Sequence, residues 1–403
     1  MRILIISQYF KPENFRINDL AEQLIEKKHK VTVLTGLPNY PKGRLFKGYN
    51  IFSFGRYYEN KLNIIRVPII PRFSSKGWQL FLNYFSFVLS ASLISPFISR
   101  KYDLIFVYEP SPFTVGIPAV LIKKFINKPI IFWVQDLWPE SLEAAGKIKS
   151  RIVIYLISKI VRWIYKNCDV VLVQSKGFIN SAINSGARKE KIVYIPNWAE
   201  NEYILTAKKA NLDNLDFPKN GFKVLFAGNL GAAQSLNTII SAAVILKKSE
   251  INWIIVGDGR YKKYLKENIK KNCLQDKFFF IDQQPLSNMS NLFSLSDVLL
   301  VTLLKKHIFS LTVPGKIQSY MASGKPIVAA IDGEGFNIIN NSKSGIAVEA
   351  EDHESLANAI SNMSKMNKSE LDNMGKMGFK YYQDNFNRES IIKKIEKIML
   401  KLK

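Results

Sequence analysis

Short apolar runs, each followed by a helix-length segment of mixed polarity, recur along the chain in two series. The first series is 2–7, 30–34, 62–67, 103–108, 129–134, 169–174 and 191–195. These runs are rich in Ile and Val and are apolar at consecutive positions, as parallel strands covered on both faces by helices should be. Pro196-Asn197 ends the series, and the polar stretch 207–221 reads as a linker. The pattern restarts at 223–227, 253–256, 278–281, 297–302, 327–331 and 346–349. Two successive βα series predict an α/β protein of two doubly wound, Rossmann-like domains, 1–200 and 201–384. The segment 381–403 has helix periodicity, with Ile391, Ile392, Ile395, Ile398 and Met399 set among lysines. Its part from about 385 onward is expected to pack back on the first domain. No short-period repeat or low-complexity tract interrupts this plan.

Two helical segments depart from an ordinary covering helix. Residues 77–99 contain no charged residue and are flanked by Lys76 and Arg100, a length that would permit a membrane span. Gln79, Asn83, Ser86 and Ser90 nevertheless line one stripe of it, which predicts a buried or half-inserted helix instead. Residues 150–167 place Arg151, Lys159, Arg162 and Lys166 on one face and Ile, Val and Leu on the others, with no acid between Glu143 and Asp169. Such a helix can lie on an anionic bilayer surface. A core helix with a solvated basic stripe has the same pattern.

Composition narrows the classes. With 403 residues, 47% hydrophobic and 22% charged, the chain is globular and long enough for two cores. The formal net charge of +24 favours anionic partners: nucleic acid, an anionic membrane face or phosphorylated substrates. Cys168 and Cys273 stand far apart, in neither metal nor redox spacing, which suits a reducing cytoplasm. The opening MRILIIS lacks the apolar core and cleavage site of a signal peptide and reads as a first strand.

The chemistry concentrates at strand ends. In 313–331, Pro314-Gly315 opens a short helix, Gly324 closes it, and a buried strand follows. A helix start exposes unpartnered N–H groups and partial positive charge, and Lys316 adds a full charge there. That is a seat for a diphosphate. The alternative is a plain helix–strand unit with a surface lysine. Gly228 and Gly231, in AGNLGAAQ, let backbone approach a phosphate, though the spacing is neither GxGxxG nor a Walker loop. Gly257-Asp258-Gly259-Arg260 and Gln284-Pro285 follow the next two strands. In the first domain three loops should share one rim: 8–16, with Glu13, Asn14 and Arg16; 109–112, with Glu109; and 134–141, with Asp136, Trp138 and Glu140. Asp136 follows directly on an apolar strand, where a carboxylate can take or orient a proton. It can equally cap the next helix. The absence of a DxD motif argues against a metal-held sugar nucleotide. His29, His307 and His353 are dispersed without ligand spacing, and there is no G-x-S-x-G elbow.

Taken together, residues 8–13, VQDLWPES, AGNLGAAQ, VGDG and PGKIQSYMASGKP resemble the bacterial family-four glycosyltransferases over essentially the whole chain. The likeness is greatest to the branch of N-acetyl-L-fucosamine transferases in O-antigen and capsule clusters. The resemblance implies a GT-B fold: two facing Rossmann-like domains, acceptor on the first and nucleotide sugar on the second, with no metal and no cofactor. It implies that Lys316 and Gly228, Asn229, Leu230 and Gly231 hold the diphosphate of a UDP-sugar, with Thr312, Pro314 and Gly315 beside them. Gly257–Arg260, Gln284 and Pro285 would lie near the nucleoside. The acceptor would be a polyprenyl-diphosphate-linked sugar, met by a cytoplasmic enzyme peripheral to the inner membrane face. The chain departs from the family in three places. Leu311 and Ser319 stand where a pair of Glu residues is common, Asn229 and Gln234 where Arg and Lys are common, and Gln135 where a His precedes the first-domain Asp. A 6-deoxy L-sugar donor accounts for the lost Glu contacts. The resemblance implies retention, the family's general outcome, whereas transfer from a UDP-β-L donor to an α-L product would invert the anomeric centre and require a base, for which Asp136 is the first candidate. UDP-N-acetylglucosamine is the alternative donor. A basic nucleic-acid-binding protein is the alternative of another class, but the chain carries no motif for it.

Overall fold

The computed structural model describes residues 1–41, 43–72, 77–98, 101–144, 150–204 and 217–402. The expected linker falls largely outside these residues, as do Lys76, Ser99 and Arg100. The chain divides into two compact units: Met1–Ile195 with Ile392–Lys403, and Pro196–Ile391.

The first unit is built on a sheet of β1 (Arg2–Ile6), β2 (Lys30–Gly36), β3 (Gly55–Glu59), β4 (Leu62–Val67), β5 (Leu104–Glu109), β6 (Ile130–Val134), β7 (Val170–Val173) and β8 (Ile192–Tyr194). The order is β3-β4-β2-β1-β5-β6-β7-β8. All neighbours are parallel except β3, which runs antiparallel to β4. Ile3 to Ile6, Leu104 to Val107 and Ile130 to Val134 are all buried, so these central strands bury both faces. Burying one such side chain contributes about 1.5–3 kcal/mol. Strand β3 has no counterpart in the sequence reading. None of its residues is buried, so it has no apolar run to betray it.

The second unit carries β9 (Phe222–Ala227), β10 (Ile251–Val256), β11 (Phe278–Ile281), β12 (Val298–Thr302), β13 (Ile327–Ala330) and β14 (Gly345–Val348), in the order β11-β10-β9-β12-β13-β14. Val224 and Phe226 pack into one apolar core, while Leu225 and Ala227 pack into another on the opposite face. The other strands all fall where the apolar runs place them. Each sheet has a switch point, between β1 and β5 and between β9 and β12, where successive crossovers diverge and a crevice opens at the strand ends.

The C-terminal segment is two helices, Lys368–Asn385 and Arg388–Lys401, where periodicity predicted one. Phe386 is buried at the break, and the Ser390 N–H donates to Asn387 Oδ1 (3.0 Å), so Asn387 starts a new helix. The last helix belongs to the first unit: Ile392, Ile395 and Met399 are buried there. Glu396 bonds His29 Nε2 at 2.9 Å and Lys27 Nζ at 3.0 Å.

Candidate active site

In the second unit the loops after β9, β10 and β12 meet at the switch point. The β9 and β10 loops are joined through backbone: Gly228 N–H donates to Val256 O (2.9 Å), Leu230 N–H to Asp258 O (2.8 Å) and Tyr261 N–H to Leu230 O (3.0 Å). Gly257 has φ +131°, and a Cβ there would lie 2.2 Å from Gly228 O. Only glycine permits that approach. On the other side, Leu304 N–H donates to Ala233 O (3.0 Å) and Thr302 Oγ1 to Gln234 O (2.5 Å), which ties the β12 loop to the same turn.

Pro314 precedes a helix, Gly315–Ala322, as its sequence predicts. Lys316 reaches from its first turn back under the β9 turn. Its Nζ lies 3.5 Å from the Phe226 ring centroid and donates to Gln234 Oε1 at 2.5 Å. A Cβ on Gly228 would stand 2.9 Å from Lys316 Cε. Among the described residues no carboxylate pairs with this ammonium, and desolvation holds its pKa well below the usual lysine value. The reading of Lys316 as a plain surface lysine is therefore corrected: part of the residue remains open, but its charge is packed against aromatic and amide groups. Asn229, Asp258 and Arg260 are exposed around this turn, whereas Leu230 is buried beneath it. Gln284 and Pro285 start the helix after β11. The Thr312 hydroxyl is engaged by Ile308 O (2.9 Å), and Ser319 Oγ by Gly315 O (3.2 Å).

In the first unit the loops after β1, β2, β5 and β6 form a second cluster. Glu13 is buried and accepts three backbone N–H bonds, from Asn39 (2.8 Å) and Tyr40 (2.6 Å) at Oε1 and from Phe10 (3.1 Å) at Oε2. Both of its oxygens are thus occupied, and it pins two loops together. Burial raises its pKa to about 7 against the pull of those bonds. Asn14 is exposed and Arg16 half-buried beside it. Glu109 ends β5 fully buried. Its Oε2 faces the Asp136 N–H at 3.4 Å, its Oε1 has no partner among the described residues, and desolvation and the charge of Asp136 hold its pKa well above the carboxylate range. Asp136 follows β6 and accepts the Ser141 hydroxyl; burial raises its pKa to about 6. Trp138 packs on Phe113, with ring centroids 5.2 Å apart, and Glu140 begins the helix Glu140–Ala144. Tyr84 reaches this cluster from the helix Gly77–Leu93, hydrogen-bonding Tyr9 and Ser111 and sensing the charge of Asp136.

The chain matches the Glycosyltransferase Family 4 domain over residues 15–202 and the Glycosyl transferases group 1 domain over 207–381. It is a glycosyltransferase.

Among curated relatives, a protein of Escherichia coli K12 named as a colanic acid biosynthesis glycosyl transferase, WcaI, is 28% identical over 340 residues, 80% of this chain and 82% of its own. The Pseudomonas aeruginosa protein WbjE, named as a glycosyltransferase, is 26% identical over 71% of this chain and 72% of its own. Solved structures match nearly end to end. Sucrose-phosphate synthase of Thermosynechococcus elongatus has a TM-score of 0.78 at 17% identity, covering 100% of this chain and 98% of that one. Anabaena HepE, solved in complex with UDP, has a TM-score of 0.73 at 16% identity, covering 100% of both. At such identities the likeness establishes the fold, and the glycosyltransferase has the two-domain GT-B architecture.

Sequence reasoning alone did not single out Phe226, Ser141 or Tyr84. Phe226 reads as an ordinary strand residue and Ser141 as one more helix-start serine. Tyr84 lies directly after Asn83 of the polar stripe, which was its one visible signal.

Proposed function

We propose that this glycosyltransferase moves a sugar from UDP to a polyprenyl-diphosphate-linked sugar in the synthesis of a surface polysaccharide, O-antigen or capsule. In this reading it works without a metal, on the cytoplasmic face of the membrane, and N-acetyl-L-fucosamine is the sugar moved. The observation that carries the reading is Lys316: a packed ammonium with no carboxylate partner among the described residues, set under a glycine turn at a helix start. Such a charge is an unmet demand for an anion, and a diphosphate supplies it. The UDP and UDP-glucose complexes of HepE support a uridine diphosphate as that anion.

In this reading Asp136 serves the acceptor and Lys316 the leaving diphosphate. The acceptor hydroxyl oxygen bonds to the anomeric carbon and passes its proton to Asp136, while the bond from that carbon to the diphosphate oxygen breaks. UDP leaves with the electron pair, its charge met by Lys316 and by backbone N–H groups. Leu311, where the family resemblance implies a carboxylate, suits the methyl end of a 6-deoxy sugar. The test is a panel of UDP-sugars with a synthetic lipid-diphosphate N-acetylglucosamine acceptor, with EDTA present, read by product mass and anomeric NMR. Transfer from none of the UDP-sugars, or loss of turnover in EDTA, refutes the reading.

A further inference from the structure

The helix Gly77–Leu93 is inside out. Its polar stripe faces the protein: Asn83 is buried, accepting from Gln8 Nε2 (2.9 Å) and donating to Ile70 O (2.7 Å), and Ser86 Oγ accepts the Ile70 N–H (2.9 Å). Its exposed stripe is wholly apolar. Trp78, Phe81, Phe85, Leu89 and Leu93, continued by Phe97 in the following turn, are exposed between 49% (Leu89) and 75% (Phe97). From Trp78 to Leu93 the stripe runs about 22 Å at 1.5 Å per residue. In water that arrangement has the wrong sign, since apolar surface should be turned inward and polar surface outward.

We propose that this stripe is seated in the hydrocarbon edge of an anionic bilayer, with the helix lying in the membrane plane. The segment Gly77–Phe97 is long and apolar enough to cross a membrane by length and composition. A span is excluded by packing: Asn83, Phe87 and Ala91 are buried against the first unit, so lipid cannot surround the helix. Charge selects lipid over another apolar partner. The helix Gly116–Ile126 packs against both Gly77–Leu93 and Arg151–Asn167, and these three neighbouring helices contain no Asp or Glu. Arg151, Lys159, Arg162 and Lys166 are exposed on the third, whose first turns also expose Ile152 and Tyr155. An exposed apolar stripe and exposed cations on one group of three helices fit lipid with anionic headgroups. The inference rests on the membrane contact proposed above and assigns it a seat. That seat is a hydrophobic helix face, with the basic helix as an electrostatic auxiliary.

The test is flotation of the full chain with vesicles of phosphatidylethanolamine and phosphatidylglycerol. The wild type should float, and should still float in about 1 M salt, where screening reduces the Debye length to about 3 Å. Phe81→Ser and Phe85→Ser should each lower the partition coefficient about tenfold. Both side chains are exposed, so circular dichroism and UDP binding should match the wild type. Leu89→Ser is a third, independent variant with the same expectation. Arg162→Gln should weaken binding only at low salt. Four results overturn the inference. Wild type that does not float removes the membrane contact itself. Wild type that floats but is released completely by salt, or stripe variants that float undiminished, remove only the seat. A dimer by light scattering that Phe81→Ser converts to monomer shows that a second copy covers the stripe.

Discussion

Lys316→Met tests the donor site with two effects of opposite sign. Methionine keeps the length of the side chain and removes only its charge and donors. The ammonium lies 3.5 Å from the Phe226 ring centroid and bonds Gln234 at 2.5 Å, both neutral partners. A lysine pKa depressed below 10.5 by desolvation says that these contacts do not offset the loss of water around the charge. The unfolded chain therefore holds the proton more tightly than the folded one, so wild-type stability should rise with pH across the alkaline range up to about 10.4. The Met variant should lack that rise and be at least as stable as wild type at pH 7. Binding should move the other way. A charge-assisted hydrogen bond to phosphate contributes about 1.5–3 kcal/mol, so UDP should bind about 10- to 150-fold more weakly. Uridine, which has no phosphate, should bind as before. Calorimetry with both ligands and urea denaturation at pH 7 and 9.5 read all four quantities. Equal losses for UDP and uridine, or a destabilised variant with unchanged UDP affinity, would make Lys316 a packing residue and refute the reasoning.

Asp136→Asn should lower kcat on the order of 10²–10⁴ while leaving UDP affinity unchanged, and wild-type kcat/KM should fall as pH drops below about 6, where the carboxylate takes up its proton; near-normal turnover in a folded Asn variant would leave Asp136 a helix cap. Glu13 is raised from 4.5 to about 7, so its protonated form is the one folding favours. Its stabilising contribution should be complete below pH 4.5 and lost as pH rises through 7. Glu13→Gln should flatten that pH dependence, worth up to about 3 kcal/mol, in denaturation curves at pH 5 and 8. Gly257→Ala must displace Gly228 O, 2.2 Å from the new Cβ, and adopt φ +131°; it should cost about 1–3 kcal/mol of stability and weaken UDP binding in the same calorimetric assay.

The fold was legible because its strands are buried on both faces. Ile3 to Ile6 and Val298 to Thr302 must be continuous apolar runs wherever helices cover a sheet twice. Where that condition fails, so does the reading. Gly55–Glu59 exposes every residue in part or whole, and its pairing with β4 is a register fact that composition does not carry. That the β9 and β10 turns and Lys316 lie together was legible at the glycines, since close approach of backbone to backbone at positive φ needs them. The partners of Lys316 were not. Phe226 and Gln234 meet it through the switch point of a sheet, across 90 and 82 positions of sequence, and pairing at that range is a property of topology. The roles of the acidic residues were also beyond the sequence. Glu13, Glu109 and Asp136 look alike as strand-end carboxylates. Only coordinates separate one saturated by backbone donors, one sealed beneath a neighbour, and one held by Ser141.

The polar stripe of the helix Gly77–Leu93 shows why periodicity alone could not settle its environment. A helical wheel gives the angle between polar and apolar positions but not which of them faces the protein. Turning Asn83 outward would hydrate one amide and bury Phe81 and Phe85. That is the better arrangement in water unless the interior already demands a polar partner. Here it does: Asn83 accepts from the buried Gln8 Nε2 at the end of β1 and donates to the Ile70 carbonyl, and both bonds hold its amide on the protein side. Meeting that demand turns the aromatic stripe outward, and the same rotation points Tyr84 toward Ser111, Tyr9 and Asp136. One helix then carries the apolar stripe on one face and, through Tyr84, a wall of the Asp136 cluster on another. In the proposed function the acceptor sugar remains tethered to a lipid, and the helix that carries both the stripe and Tyr84 is about 10–12 Å across. On that reading the stripe and Asp136 act on the same substrate. A variant such as Phe85→Ser should therefore raise KM for a lipid-linked acceptor in vesicles, while a short-chain soluble analogue of the same sugar diphosphate is turned over as before.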